Sequence, residues 1–477
     1  MLAKGDCMKQ VKFGTGGFRA VIGEDFNKKN VQGVCQAMAN IINAKGYKKE
    51  ICIGYDNRFM SEFFARWCAE VFAGNGIKVE LFDCATSSPV AMYATKVSKN
   101  DFGVMITASH NPFEYNGVKI FITGGKDAGV NETAEVEREM GKISVIKRVD
   151  YAKAVGKSIV LVNYLDQYVE SIINLLDIRN CAKKISAVYD AKFGSTVEEL
   201  EIFSNTMGLK KAEIINGKRD ALFGMALPAP NADNISDLRE KVVSSKADIG
   251  FALDADGDRL AVIDEKGNYV DNNYILAIAY YFLVKYCGKK GDSVKNVATS
   301  NLLDMVSEKL GYVCHEVPVG FKYVSSALME YNAVIGGESS GGLAIDGHIL
   351  GKDSLLAIAI CLKAMVVMNK SFSEILKEVK DFVGGYEKII FDKQYSYTAE
   401  QKRHIDSILF EKRITPKHRY NLKDVVIEDH VKVYYENGNW SLIRFSGTEP
   451  ILRIFVESDS QEENLKMIED WEKLLRI

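Results

Sequence analysis

Apolar positions along the chain fall in short runs separated by amphipathic stretches. Glu50–Tyr55 (EICIGY), Val79–Phe82 and Phe102–Ile106 are runs of strand length, and short apolar runs bounded by turn residues predict buried strands. Between the first two, Ser61–Ala73 has helical spacing, with Ser61 placed to cap it and Gly74-Asn75-Gly76 to stop it. Strands alternating with helices predict βαβ units and a mostly parallel sheet. The rhythm returns after about residue 157, with strands at Ile185–Tyr189 (ISAVY) and Ala247–Leu253 (ADIGFAL). It starts again after about residue 266, with an apolar helix at Tyr274–Val284 and a strand at Tyr331–Ile335 (YNAVI). The tail differs: Val431–Tyr435, Trp440–Phe445 and Leu452–Val456 read as β, ahead of a charged helix at Gln461–Leu475. The expected fold is α/β: three related mixed α/β domains, 1–156, 157–265 and 266–382, then a smaller α+β domain, 383–477.

The length of 477 residues agrees with three or four domains at ~100–200 residues each. An apolar content of 47% with 26% charged residues is that of an ordinary globular protein. A net charge of -3 gives no reason to expect nucleic acid or membrane as a partner. Nine cysteines without a CxxC pair indicate neither a disulfide framework nor a zinc ribbon, so a reducing cytoplasm is expected. The start, MLAKGDCMKQVKFG, lacks the apolar core of a signal peptide. The longest apolar runs, Tyr274–Val284 and Leu355–Cys361, fall short of the ~18 residues that span a bilayer and are expected as buried helices.

Four loops carry chemistry. In ITASHNPFEYNGVKI (Ile106–Ile120), Asn111-Pro112 forces a turn after the strand ending at Ile106. That places Ser109, expected exposed, at the carboxyl end of a strand, where open α/β sheets bind ligands. It is a candidate nucleophile or phosphate carrier, with His110 beside it and Lys119 ten residues on. In LDADGDRL (Leu253–Leu260), Asp254, Asp256 and Asp258 alternate; on an extended segment they would share one face. Three converging carboxylates repel unless a cation binds them, and hard oxygen ligands suit magnesium or calcium. An EF-hand would need glycine where Arg259 stands. In IGGESSGG (Ile335–Gly342), Glu338 and Ser340 offer a carboxylate and a hydroxyl suited to sugar hydroxyls, and DGHILGKD follows with His348, Lys352 and Asp353. In RFSGTEPILR, Arg444, Ser446, the Gly447 and Thr448 amides and Arg453 are what a phosphate dianion requires. FGTGGFRA adds Arg19 near the start. Jointly the loops point to a phosphorylated sugar handled by a metal and a serine.

The chain resembles the α-D-phosphohexomutase family (phosphoglucomutase/phosphomannomutase type) along nearly its whole length. T-A-S-H-N-P, D-A-D-G-D-R, G-E-S-S-G and R-F-S-G-T-E-P occur in family order, supported by FGTGGFRAVIGEDF, GYDNRFMS, PVGFKY and GHILGKD. The resemblance implies four domains around a central cleft, the last binding phosphate. It implies Ser109 as phosphoserine, with Asp254, Asp256, Asp258 and a phosphoryl oxygen on Ser109 holding Mg2+. Arg259 would neutralise the transferring phosphoryl, with Arg19 and Lys119 flanking it. Lys119 would be the general acid/base, a role a lysine can fill near neutral pH if nearby cations depress its pKa; His110 would orient the loop. Glu338 and Ser340 would bind sugar hydroxyls. Arg444, Ser446, Gly447, Thr448 and Arg453 would hold the distal phosphate. It further implies a hexose phosphate substrate, glucose 1,6-bisphosphate as activator, and a monomer or homodimer.

One departure bears on the sugar. Many members carry histidine at the end of the sugar loop, as G-E-x-S-G-H; here Gly342 stands there and His348 follows later. With Lys352-Asp353 and PVGFKY, this is similar to the glucomutase branch, and it favours a glucose phosphate over mannose or glucosamine phosphate. Rivals are a sugar-bisphosphate synthase, a non-catalytic sugar-phosphate sensor and a metal-dependent phosphatase.

Overall fold

The computed structural model describes residues 11–14, 16–446 and 451–477. A seven-stranded sheet opens the chain. Its centre is parallel: Glu50–Tyr55 lies between Phe102–Ile106 and Lys78–Phe82. Tyr115–Ile122 then folds back antiparallel on Phe102–Ile106 and pairs with Phe18–Val21. At the other edge Ile159–Val162 pairs parallel with Lys78–Phe82, so the first sheet draws a strand from beyond residue 156. Cys52, Ile53, Val104 and Met105 are almost wholly buried, as strands covered by helices on both faces must be.

The second sheet has five strands and the third four. In the second, Ile249–Leu253 runs parallel to Ser186–Asp190 and hairpins into Leu260–Asp264. In the third, Ser293–Asn296 lies between Cys314–Val317 and Ile335–Gly337. The expected strand at Tyr331–Ile335 is corrected here. Tyr331 ends the helix Phe321–Glu330, and Ala333 donates its amide back to Leu328 O. Ala333 and Val334 bury a turn, and the strand begins only at Ile335. The apolar runs form the helices Asn272–Lys285 and Ser354–Met368, buried within the main core. Among the described residues no single helix is long and apolar enough to cross a membrane.

The fourth sheet is antiparallel, five-stranded, and backed by the helix Gln461–Leu475, whose Trp471 is fully buried. It rests on the third domain. Trp440 and Leu442 pack with Val297 and Ala298. Lys432 lies 2.6 Å from Glu316 beneath the Trp440 ring, with Lys295 3.5 Å from the same carboxylate.

Candidate active site

Ser109 follows the carboxyl end of Phe102–Ile106 as expected, but it is fully buried, not exposed. The reason is another domain: Ser109 Oγ donates to Asp254 Oδ2 at 2.7 Å. Ser109 holds a left-handed backbone (φ 51), uncommon for a residue with a Cβ. Arg58, which has no role assigned from the sequence, fixes it. Its guanidinium donates to the carbonyls of Ser109 (2.5 Å), Asn111 (2.7 Å), Pro112 (2.8 Å) and Tyr115 (3.1 Å). Arg58 is fully buried and paired with Asp56 at 3.3 Å. Asp56 also accepts from Thr107 Oγ1 at 2.6 Å, and Thr107 Oγ1 accepts the Ser109 amide at 2.9 Å. Arg58 follows the strand Glu50–Tyr55 much as Ser109 follows its neighbour; the same sheet-end argument could have found it.

The three aspartates converge, though not by alternation on an extended segment. Leu253–Leu260 is a tight turn in which Asp254 Oδ1 accepts the amides of Asp258 (2.9 Å) and Arg259 (3.0 Å). Gly257 closes it at φ 69, where an added Cβ would lie 2.6 Å from Thr196 Cγ2; only glycine fits. Ligand oxygens of Asp254, Asp256 and Asp258 lie within 4.8 Å of one another, all buried. Burial, reinforced by Asp256 and Asp258, pushes the Asp254 carboxyl well up. Asp258 is held low against burial by Lys119, Lys352 and Arg259. Asp256 Oδ1 is buried without a hydrogen-bond partner. Crowded hard oxygens, one of them orphaned, fit a divalent cation.

Cations surround this turn. Lys119 Nζ lies 2.6 Å from Asp256 and 2.7 Å from Asp258. Lys352 Nζ lies 3.2 Å from Asp258, and Arg259 Nε 3.9 Å. Arg19 donates to Asn111 Oδ1 at 2.7 Å; burial lowers its pKa, and the three aspartates counter. The condition that nearby cations depress Lys119 is not met: burial does lower it, but Asp256 and Asp258 prevail and hold the ammonium above its ordinary value. His110 Nδ1 sits 3.3 Å from Ser109 Oγ. Burial, then Arg259 and Arg19, push its pKa well down, so the ring is neutral.

The sugar-loop residues sit alongside. Glu338 is buried, its Oε1 accepting from Asn296 and the Gly320 amide at 3.0 Å each. Ser340 is half-buried in the turn closed by Gly341 N to Glu338 O. His348 is buried in a 2.7 Å pair with Asp353, which caps the helix Ser354–Met368 and accepts from Tyr168. Lys322, unassigned from sequence, lines a recess with Phe13, Gly14, Lys119 and Asp127.

Arg444 and Arg453 face each other across adjacent antiparallel strands. Like charges directly opposite destabilise a sheet unless an anion joins them. Burial, then Arg453, lower Arg444, while Asp429 and Glu338 counter. The Ser446 amide closes the loop on Ile451 O at 2.7 Å. Gly447 and Thr448 lie outside the described residues.

Carboxylates, cations and a hydroxyl packed this tightly suit phosphoryl transfer within one molecule, the class of an intramolecular phosphotransferase. The phosphoglucomutase/phosphomannomutase alpha/beta/alpha domains I, II and III match residues 10–146, 166–267 and 271–382, and the C-terminal domain of that family matches 401–473. The chain belongs to the phosphoglucomutase/phosphomannomutase family and is a phosphohexomutase. It is 28% identical to the phosphoglucomutase/phosphomannomutase of Thermococcus kodakarensis, over 97% of this chain and 98% of that one. It is 27% identical to the phosphoglucosamine mutase of Pseudoalteromonas atlantica, over 96% of each. A crystal structure from Thermus thermophilus, assigned to the phosphomannomutases, superposes with a TM-score of 0.86 at 26% identity, covering 98% of this chain and all of that one.

Proposed function

We propose that the enzyme interconverts hexose 1-phosphate and hexose 6-phosphate, glucose being the preferred sugar, through a phosphoryl group carried on Ser109. The observation that carries this is the 2.7 Å bond from Ser109 Oγ to Asp254, inside a triad whose Asp256 keeps an orphaned oxygen. Ser109 gives its phosphoryl to the free hydroxyl of the sugar phosphate. The bisphosphate turns in the cleft, and its other phosphoryl returns to Ser109. Asp254, Asp256 and Asp258 would hold Mg2+, which supplies charge neutralisation for a loose transition state. Arg19 and Arg259 would spread the charge of the transferring group. Lys119 moves the proton of the attacking sugar hydroxyl. Its raised pKa makes it the charged donor at neutral pH; it becomes a base only when the charge of Asp256 and Asp258 is taken up elsewhere. Neutral His110 orients the loop. Arg444 and Arg453, with Ser446, Gly447 and Thr448, grip the phosphate that is not reacting, and Glu338 and Ser340 hold sugar hydroxyls. Glucose 1,6-bisphosphate would prime Ser109.

The glucose preference rests on Gly342 and Lys352. A Cβ on Gly342 would lie 2.2 Å from Lys352 Cδ and 2.8 Å from its Cβ. Lys352 therefore crosses the space a larger residue would fill, and its ammonium reaches the triad. A second reading, glucosamine phosphate, is favoured by relatives named phosphoglucosamine mutase or probable phosphoglucosamine mutase at 26–31% identity. Turnover of glucose, mannose and glucosamine 1-phosphates, with Mg2+ and trace bisphosphate, decides. A kcat/KM advantage for glucose supports the first reading; an advantage for glucosamine or mannose replaces it; no isomerisation of any removes both.

A further inference from the structure

Asp256 is oriented by a residue outside its own loop. Ser88 opens the helix Ser88–Val97, just beyond the carboxyl end of the strand Lys78–Phe82, and is fully buried. Its Oγ donates to Asp256 Oδ2 at 2.6 Å and accepts from Lys119 Nζ at 3.3 Å. Asp256 Oδ2 thus has two donors, Ser88 and Lys119, while Oδ1 has none. The terminal torsion of a carboxylate is soft, and hydrogen bonds alone decide which oxygen points where. We propose that Ser88 is a positioning residue: its hydroxyl locks Asp256 so that Oδ1 stays free for the divalent cation and Lys119 stays beside the triad. The proposal rests on the reading that Asp254, Asp256 and Asp258 bind that cation.

The surrounding backbone isolates this role to one hydroxyl. Three consecutive carbonyls of the metal turn are held by three elements. Ala255 O accepts the Ser195 amide at 3.0 Å, Asp256 O the Ser88 amide at 2.8 Å, and Gly257 O the Ser354 hydroxyl at 2.5 Å. Ser195, Ser88 and Ser354 precede or open helices of the second, first and third domains. Removing the Ser88 hydroxyl leaves every one of these bonds in place. The turn keeps its path, and only the Asp256 carboxylate and Lys119 lose a constraint.

The test is Ser88→Ala on the full chain, with Ser109 phosphorylation matched by intact mass. Mn2+ affinity is read by electron paramagnetic resonance, alongside kcat and KM for glucose 1-phosphate with Mg2+. Groups that orient metal ligands typically contribute ~10–100-fold to metal affinity or activity. The expected result is Mn2+ binding weakened by ~10–100-fold with kcat reduced, KM little changed and a cooperative melt retained. A pure packing role would move the melt and leave metal affinity alone. Should Ser88→Ala lose its fold, Ser88→Cys keeps the volume and donates only weakly, and it carries the same expectation. A folded Ala or Cys variant that binds Mn2+ like wild type overturns the proposal while the metal reading stands. Wild type that binds no Mn2+ at the triad overturns both.

Discussion

Arg58→Lys should cripple the enzyme while sparing its overall fold. Arg58 pairs with Asp56, and its guanidinium carbon lies 4.9 Å from the centre of the Phe223 ring; the substitution keeps a cation opposite Asp56 but replaces a planar fork with one nitrogen. Arg58 donates to four carbonyls of the loop from Ser109 to Tyr115. A lysine ammonium, shorter and not planar, keeps Asp56 and reaches only part of that set. Leaving two carbonyls buried without donors costs ~1–3 kcal/mol each, so about 2–6 kcal/mol in all. The loop avoids much of that cost by moving, because the left-handed conformation of Ser109 (φ 51) is then held only by Thr107 on its amide and Asp254 on its hydroxyl. A shift of the reacting oxygen by ~1 Å is worth roughly 100-fold in rate. The assay is kcat and KM for glucose 1-phosphate, with melting followed by circular dichroism. The expected result is kcat down by roughly 100-fold, KM nearly unchanged because the distal phosphate grip is untouched, and a cooperative melt at lower temperature. A variant turning over at the wild-type rate would refute the claim that Arg58 holds Ser109 in line.

Other outcomes follow from the same contacts. Asp256→Asn should lose Mg2+ dependence together with rate; an unaltered metal titration would remove that turn from the site. Gly342→Ala should displace Lys352, whose Cβ, Cγ and Cδ all crowd the new atom, so its kcat/KM should match that of Lys352→Met and the double variant should be no worse; additive losses would show that the two act separately. Lys432, which faces Glu316, Lys295, Asp304, Tyr434 and the Trp440 ring, is pushed down to about 8 by burial, then by Lys295. Its unfolded value is higher, so between about 8 and that value the unfolded chain binds the extra proton and stability rises with pH. Melting temperatures of wild type should therefore gain on those of Lys432→Met as the pH rises above about 8; parallel profiles would contradict this.

Local patterning carried much of the architecture. Phe102–Ile106, Trp440–Phe445 and Gln461–Leu475 form with the bounds their patterns suggest, because burial of one face or both is written in a few adjacent residues. Tyr331–Val334 misled, since a short apolar run buries a turn as readily as a strand. Ser61 misled too: it is the first helical residue, with Met60 at the cap in a left-handed conformation, and its hydroxyl goes to Asp56 instead. The site was legible as loops, because each loop needs distinctive residues at fixed spacing. Its electrostatics were not. Ser109 is buried by Asp254, and Lys119 is raised by Asp256 and Asp258, partners more than a hundred residues away. Ser88 gave no signal beyond Ser-Pro at a helix start, since its partner belongs to another domain.

Peptide mapping during turnover shows whether the phosphoryl group travels on Ser109. The protein is first charged with glucose 1,6-bisphosphate in the presence of Mg2+, then mixed with excess unlabelled glucose 1-phosphate and quenched at intervals. Phosphate is expected on the peptide bearing Ser109 and on no other. Transfer of that phosphate to sugar is expected at least as fast as glucose 6-phosphate appears, with both lost in Ser109→Ala. Glucose 6-phosphate formed at full rate with Ser109 unmodified, or with the phosphate on another residue, would contradict this.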